Sequence, residues 1–181
     1  FYRTTEELPD FRDYSMKNRT YRYMVNEALY PFGYGLSYTR FKYDSMEISP
    51  NKIRTDEIGQ KGKDALVKCM VRVENTGQRT SDEIVQMYLK DVEASVEVPK
   101  WQLAGIKRIT LSPGEKKEVV FNLAPRQLAL VDNEGRCILE PGMFVVYIGG
   151  SQPDERSRIL TGAKVQRASF EVVGSAIELE Y

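Results

Sequence analysis

From Phe41 onward, apolar and polar residues alternate in short runs separated by turn residues. Ala65–Asn75 is the cleanest, with Val67, Cys69, Val71 and Val73 on one face and Lys68, Arg72 and Glu74 on the other. A period of two is the signature of a strand with one buried face. The same pattern predicts strands over Glu83–Asp91, Trp101–Leu111, Lys117–Leu123, Phe144–Ile148 and Ala168–Val173. Phe41–Ser49 also alternates, but its phase slips at Asp44-Ser45, which predicts a bulge. Ser112-Pro113-Gly114-Glu115 reads as a turn, and Asp132-Asn133-Glu134-Gly135 as a hairpin turn between two short strands. Asn51–Lys63 is polar with two glycines and reads as a loop. No segment after residue 40 has a convincing amphipathic helical pattern. Seven or eight short strands at this spacing predict an all-β, immunoglobulin- or fibronectin type III-like antiparallel sandwich over residues 41–181.

Residues 1–40 differ. They hold ten of the chain's 19 aromatic residues, without sustained periodicity. Pro9, Pro31, Gly33 and Gly35 favour turns and extended backbone. A loop-like stretch this rich in rings needs a surface to cover it. The segment therefore reads as an irregular strap that packs against another domain. The first residue is Phe1 rather than Met, so the chain reads as a piece of something longer.

Composition narrows the chemistry. The chain has 181 residues and no histidine, which excludes Ser-His-Asp and Cys-His catalysis and His-ligated zinc. Lys and Arg total 26 and so do Asp and Glu, leaving no charge surplus to attract nucleic acid. No apolar run is long enough for a membrane-spanning helix. Cys69 reads as a buried thiol; a disulfide to Cys137 is the alternative. Glu6, Glu7, Asp10 and Asp13 are close enough to suggest the paired carboxylates of glycoside hydrolysis. Nearby Arg3, Arg12 and Lys17 favour simple ion pairs instead. Asn18-Arg19-Thr20 matches a glycosylation pattern that short sequences often match by chance. Arg19, Tyr21, Arg22 and Tyr23 alternate base and ring, which suits interdomain packing or a sugar-stacking face. Trp101 is an edge of the core or a sugar platform. No cofactor or metal site is expected.

Pro31-Phe32-Gly33-Tyr34-Gly35-Leu36-Ser37-Tyr38-Thr39 is specific enough to suggest a family. It resembles the junction in glycoside hydrolase family 3 between the α/β-sandwich domain and a C-terminal fibronectin type III-like domain. Residues 1–24 are similar to the closing segment of that α/β domain. Residues 73–77, 81–89, 107–121 and 140–151 resemble strands of the C-terminal domain. The resemblance implies a parent that hydrolyses β-linked glucosides or xylosides with retention. Its two catalytic carboxylates would lie in a barrel and an α/β domain absent from these residues, so the fragment alone is expected to be inactive. The partners implied are those two domains of the same chain, with an oligo- or aryl β-glycoside as the parent's substrate and a periplasmic or extracellular location. Arg19, Tyr21, Tyr23, Pro31, Phe32, Gly33, Tyr34, Gly35, Leu36 and Tyr38 are the candidate interdomain residues. In physical terms, Gly33 and Gly35 permit close approach and unusual backbone angles. The intervening Phe32, Tyr34, Leu36 and Tyr38 can reach two surfaces at once.

Overall fold

A computed structural model describes residues 2–61 and 65–180. Phe1 and the last residues of the expected 51–63 loop lie outside the described residues. Two sheets face each other across one apolar core. The first has the order β1-β3-β6, built from Phe41–Ser49, Val67–Asn75 and Lys116–Leu123. The second has the order β2-β10-β9-β4-β5, built from Lys52–Arg54, Gln166–Val173, Gly142–Gly149, Ser81–Asp91 and Gln102–Leu111. A small third sheet joins β7 (Leu130–Val131), β8 (Cys137–Leu139) and β11 (Ile177–Glu178).

The alternating residues of β3 fill the core, with Val67, Cys69, Val71 and Val73 fully buried. Opposite them lie Val85, Met87, Phe144, Val146 and Ile148. Phe144 and Phe170 stack at 5.4 Å between ring centroids. Burial of such side chains contributes roughly 1.5–3 kcal/mol each. Both cysteines are buried free thiols, so the disulfide alternative falls. Burial pushes the Cys69 thiol up to about 12.

The predicted bulge is present. Register between β1 and β3 shifts between Asp44 and Glu47, and Ser45 takes φ 53°. The Asp132–Gly135 turn joins β7 to β8, with Gly135 at φ 82° and Asp132 accepting from the Glu134 and Arg136 amides.

Three expectations need correction. Residues 51–61 are not a loop: they form β2 and helix α2 (Thr55–Lys61), which follows the four-residue α1 (Thr20–Tyr23) in chain order. Ile53 and Ile58 anchor this stretch in the core. A three-residue strand is too short to show alternation. Nor are the sheets wholly antiparallel, because β2 pairs in parallel with β10. Helices also follow residue 40, namely α2, α3 (Pro125–Leu128) and α4 (Glu155–Thr161). Helix α4 is set by its caps: Asp154 accepts from the Ser157 amide at 2.6 Å, and Gly162 closes it at φ 67°.

One buried polar residue ties the loops together. Asn75 is fully buried and uses every hydrogen-bonding site of its amide. Its Nδ2 donates to the carbonyls of Arg79 and Leu111, at 2.8 and 2.9 Å. Its Oδ1 accepts from Thr39 Oγ1 and the Gly77 amide, at 2.6 and 3.0 Å. Thr39 is the last residue but one before β1, so Asn75 also fixes where the strap enters the sandwich. Glu83, half-buried on β4, accepts from the Tyr43 hydroxyl of β1 at 2.5 Å. Burial raises the Glu83 pKa above its ordinary value, more than the Tyr43 bond lowers it.

Asn75→Ala strands four partner groups and is expected to cost about 3 kcal/mol or more; urea unfolding measures it, and a loss under about 1 kcal/mol would contradict the hub. A raised folded-state pKa means that the Glu83 contribution is full below the unfolded pKa and is lost as pH rises through the folded one. Glu83→Gln should therefore melt above the parent sequence at pH 7, with the gap closing below about pH 4. A gap that widens on acidification would contradict this.

Candidate functional site

Strand β4 is buried on both faces from Val85 to Leu89. Val85, Met87 and Leu89 face the core. Gln86 and Tyr88 point the other way, and the strap covers them. Burial would leave the Gln86 amide unsatisfied, but it is fully engaged. Its Nε2 donates to the Gly150 carbonyl at 2.9 Å and to the Gly33 carbonyl at 3.4 Å. Its Oε1 accepts from the Tyr88 hydroxyl at 2.5 Å. Burial, then the neighbouring Tyr21 and Asp154, raises the Tyr88 pKa, so the phenol keeps the proton it donates.

The strap docks through Phe32 and Gly33. Gln152 clamps Phe32 twice: Phe32 N donates to Gln152 Oε1 at 3.0 Å, and Gln152 N donates to the Phe32 carbonyl at 3.2 Å. The Phe32 ring stacks on Tyr21 at 4.4 Å, and Tyr21 meets Tyr88 edge-on at 6.2 Å. The Tyr21 hydroxyl accepts from the Leu103 amide at 3.1 Å. Lys100 closes the other end, donating its Nζ to the Met24 carbonyl at 2.7 Å and its amide to the Arg22 carbonyl at 2.8 Å.

Gly33 has φ +78°, and a Cβ there would lie 2.3 Å from Gln86 Oε1. No other residue suits that position. The parallel expectation for Gly35 fails within this chain: its φ is not positive and nothing lies within 4 Å of where its Cβ would be.

The other predicted residues divide into two groups. Pro31 is buried, and Tyr34 stacks on Tyr30 at 5.6 Å. Arg19 braces the strap from within, donating Nε to the Ser15 carbonyl at 2.9 Å and Nη2 to the Asp13 and Asp10 carbonyls. Leu36 and Tyr38, by contrast, are 88% and 93% exposed, as are Phe11 and Tyr14 at 86% and 92%. Trp101 and Tyr21 line a mostly apolar groove of about 1220 Å³ between the strap and the sandwich. Tyr23 faces a separate, smaller cleft.

Two residues of the acidic cluster, Asp10 and Asp13, are spent on local turns, accepting from the Arg12 and Ser15 amides at 2.9 and 2.8 Å. Asp10 is held low, first by the Arg12 side chain and then by its amide, and Asp13 is held low by the Ser15 amide. A general acid at a glycosidic bond needs the opposite shift. Asn18 is committed as well, with Oδ1 accepting from the Val25 amide at 2.9 Å. Among the described residues no group of three or more carboxylate or thiol side chains could hold a metal ion.

Sequence reasoning missed Gln86, Tyr88, Gln152 and Lys100. Gln86 and Tyr88 occupy alternate positions that resemble a solvent face. Only a neighbour 53 residues away in sequence, Gly33, makes them interior. A glutamine beside a tyrosine at i, i+2 on the outer face of a central strand is the one local hint.

Comparison with known proteins agrees with this architecture. A family model for a fibronectin type III-like domain matches residues 83–152, the stretch from β4 to Gln152. A putative β-xylosidase of Formosa agariphila is 39% identical over 145 residues, 78% of this chain and 18% of that protein. A periplasmic β-glucosidase of Salmonella typhimurium is 39% identical over 149 residues, 82% of this chain and 17% of that one. The solved β-glucosidase of Listeria innocua in complex with glucose superposes with a TM-score of 0.68 at 29% identity, over 83% of this chain and 18% of that structure. The chain thus spans less than a fifth of the length of these relatives. The matched segment, the sandwich and these relatives place the chain with the C-terminal, fibronectin type III-like region of glycoside hydrolase family 3 enzymes.

Proposed function

We propose that the chain is a non-catalytic accessory domain of a glycosidase acting on β-linked glucosides or xylosides, and that it stabilises the packing of that enzyme's domains. The observation that carries this reading is the two-sided strap. Phe32 and Gly33 are clamped to the sandwich, whereas Phe11, Tyr14, Leu36 and Tyr38 are left in water. Each exposed ring or branched side chain favours a further surface, and several together mark an interaction patch. The partner proposed is the remainder of the parent chain, its barrel and α/β domains. The names of the relatives, β-xylosidase and β-glucosidase, support the substrate class. The periplasmic relative supports an exported location.

A sugar-binding module built on Trp101 and Tyr21 is the weaker reading. One face of Tyr21 is already covered by Phe32 and its hydroxyl is taken by the Leu103 amide, which leaves little of that ring to stack on a sugar.

Leu36→Asp and Tyr38→Asp should leave the melting of the isolated chain almost unchanged, within about 0.5 kcal/mol, because both side chains are solvated there. The same changes in the full-length parent should lower its melting temperature by several degrees. Equal effects in the two settings would contradict the docking role. Gly33→Val should release the strap in the isolated chain, seen as faster proteolysis within residues 2–35 while the sandwich core stays resistant. Unchanged cleavage would contradict the Gly33–Gln86 contact.

A further inference from the structure

The second cleft opens beside the end of β4, where the strap's Arg22 and Tyr23 meet the sandwich, and encloses about 240 Å³. Its floor is apolar, made by Leu89, Leu128, Leu130 and Phe144. Its mouth is polar: Arg22 and Tyr23 of the strap, Asp91 at the end of β4, Glu97, and Gln102 at the start of β5. The polar atoms at the mouth are free. The Arg22 guanidinium, the Tyr23 hydroxyl, the Glu97 carboxylate and the Gln102 amide make no hydrogen bond or ion pair within the described residues. Asp91 uses one oxygen, accepting from the Glu93 amide at 3.1 Å, and its second oxygen is free. Tyr23, Asp91 and Gln102 are half-buried and Arg22 and Glu97 are exposed, so these polar atoms are open to water or to a ligand that enters the cleft.

We propose that this cleft binds one neutral sugar ring, with Asp91 and Gln102 fixing its hydroxyls and Tyr23 covering one face. The size argues for a single ring, since clefts for larger ligands run from about 300 Å³ upward. The donor and acceptor set argues for hydroxyls. Carboxylates accept from them, whereas the guanidinium and the amide N–H donate to them. An apolar floor beside a polar rim suits a molecule with C–H faces and O–H edges. Charge argues against ionic ligands. Two carboxylates repel an anion, and Arg22 at the same mouth opposes a cation. Burial, with Glu140 and Glu93 nearby, also raises the Asp91 pKa and weakens its pull on a cation. The proposal is independent of the accessory role, which requires no ligand in this cleft.

Titration of the isotope-labelled chain with methyl β-glucopyranoside and methyl β-xylopyranoside, followed by amide NMR, tests it. Saturable shifts centred on Tyr23, Asp91, Gln102 and Ala129 are expected with at least one of the two glycosides. Asp91→Asn should weaken that binding about tenfold or more, the scale of one lost charge-assisted bond, and Gln102→Ala about threefold or more, the scale of a neutral one. Both variants should keep the amide dispersion and melting temperature of the folded chain. Trp101→Phe should leave the binding unchanged. Absence of saturable shifts up to roughly 100 mM glycoside, far weaker than millimolar affinity, overturns the proposal. So do shifts centred on Trp101, or binding that survives both Asp91→Asn and Gln102→Ala in the folded protein.

Discussion

Strand β4 has no face to give to water. It is the fourth of five strands in its sheet, and its odd positions are the floor of the core. Its even positions carry Gln86 and Tyr88, whose polar atoms point away from the core and yet are buried. Leaving either group unsatisfied would cost about 1–3 kcal/mol. Gln86 donates to the Gly150 carbonyl at 2.9 Å, the strap adds the Gly33 carbonyl at 3.4 Å, and Gln86 in turn accepts a hydrogen bond from the Tyr88 hydroxyl. Phe32 then follows, because the two-bond clamp to Gln152 fixes its backbone and lets its ring stack on Tyr21. The position of the strap is thus decided by a few buried hydrogen bonds, with the aromatic area packed around them.

A second polar hub works at the other end of the strap. Asn75 holds the Thr39 hydroxyl and three loop backbones at once. Its neighbours Glu115 and Gly114 close the same knot from the Ser112–Glu115 turn, through the Asn75 amide and carbonyl. The strap is therefore pinned at Phe32–Gly33 and at Thr39. Between the pins, Leu36 and Tyr38 bow outward into solvent. Pinned ends with an exposed apolar middle make a loop whose shape is set by the sandwich and whose surface is free for a partner. Pre-organising a contact loop in this way lowers the entropy lost on docking.

The strands whose one face is buried were legible from alternation alone: β3, β6 and the core face of β4. The Asp44-Ser45 slip also marked its bulge, because a phase error is itself a periodic signal. Elements set by tertiary contact were hidden. β2 is three residues long and pairs in parallel with a strand more than 100 positions later, so neither length nor alternation could reveal it. Helix α4 is a seven-residue helix held by Asp154 and Gly162 rather than by an apolar stripe. In the strap, the value of Gly33 was readable from its composition, but its difference from Gly35 was not. Only the position of Gln86 separates the two. The polar half of the docking site was least visible, since a buried glutamine and a solvated one look alike in sequence.

The strap is clamped to the sandwich on one side, and its proposed role requires the parent to cover the other. Hydrogen–deuterium exchange of the isolated chain and of the full-length parent, compared peptide by peptide, reads both sides directly. The clamped amide at Phe32 should be protected in both. Peptides spanning residues 11–16 and 34–38 should exchange freely in the isolated chain and slowly in the parent. Equal exchange of those peptides in the two settings would contradict the account, because nothing would then cover the exposed side of the strap.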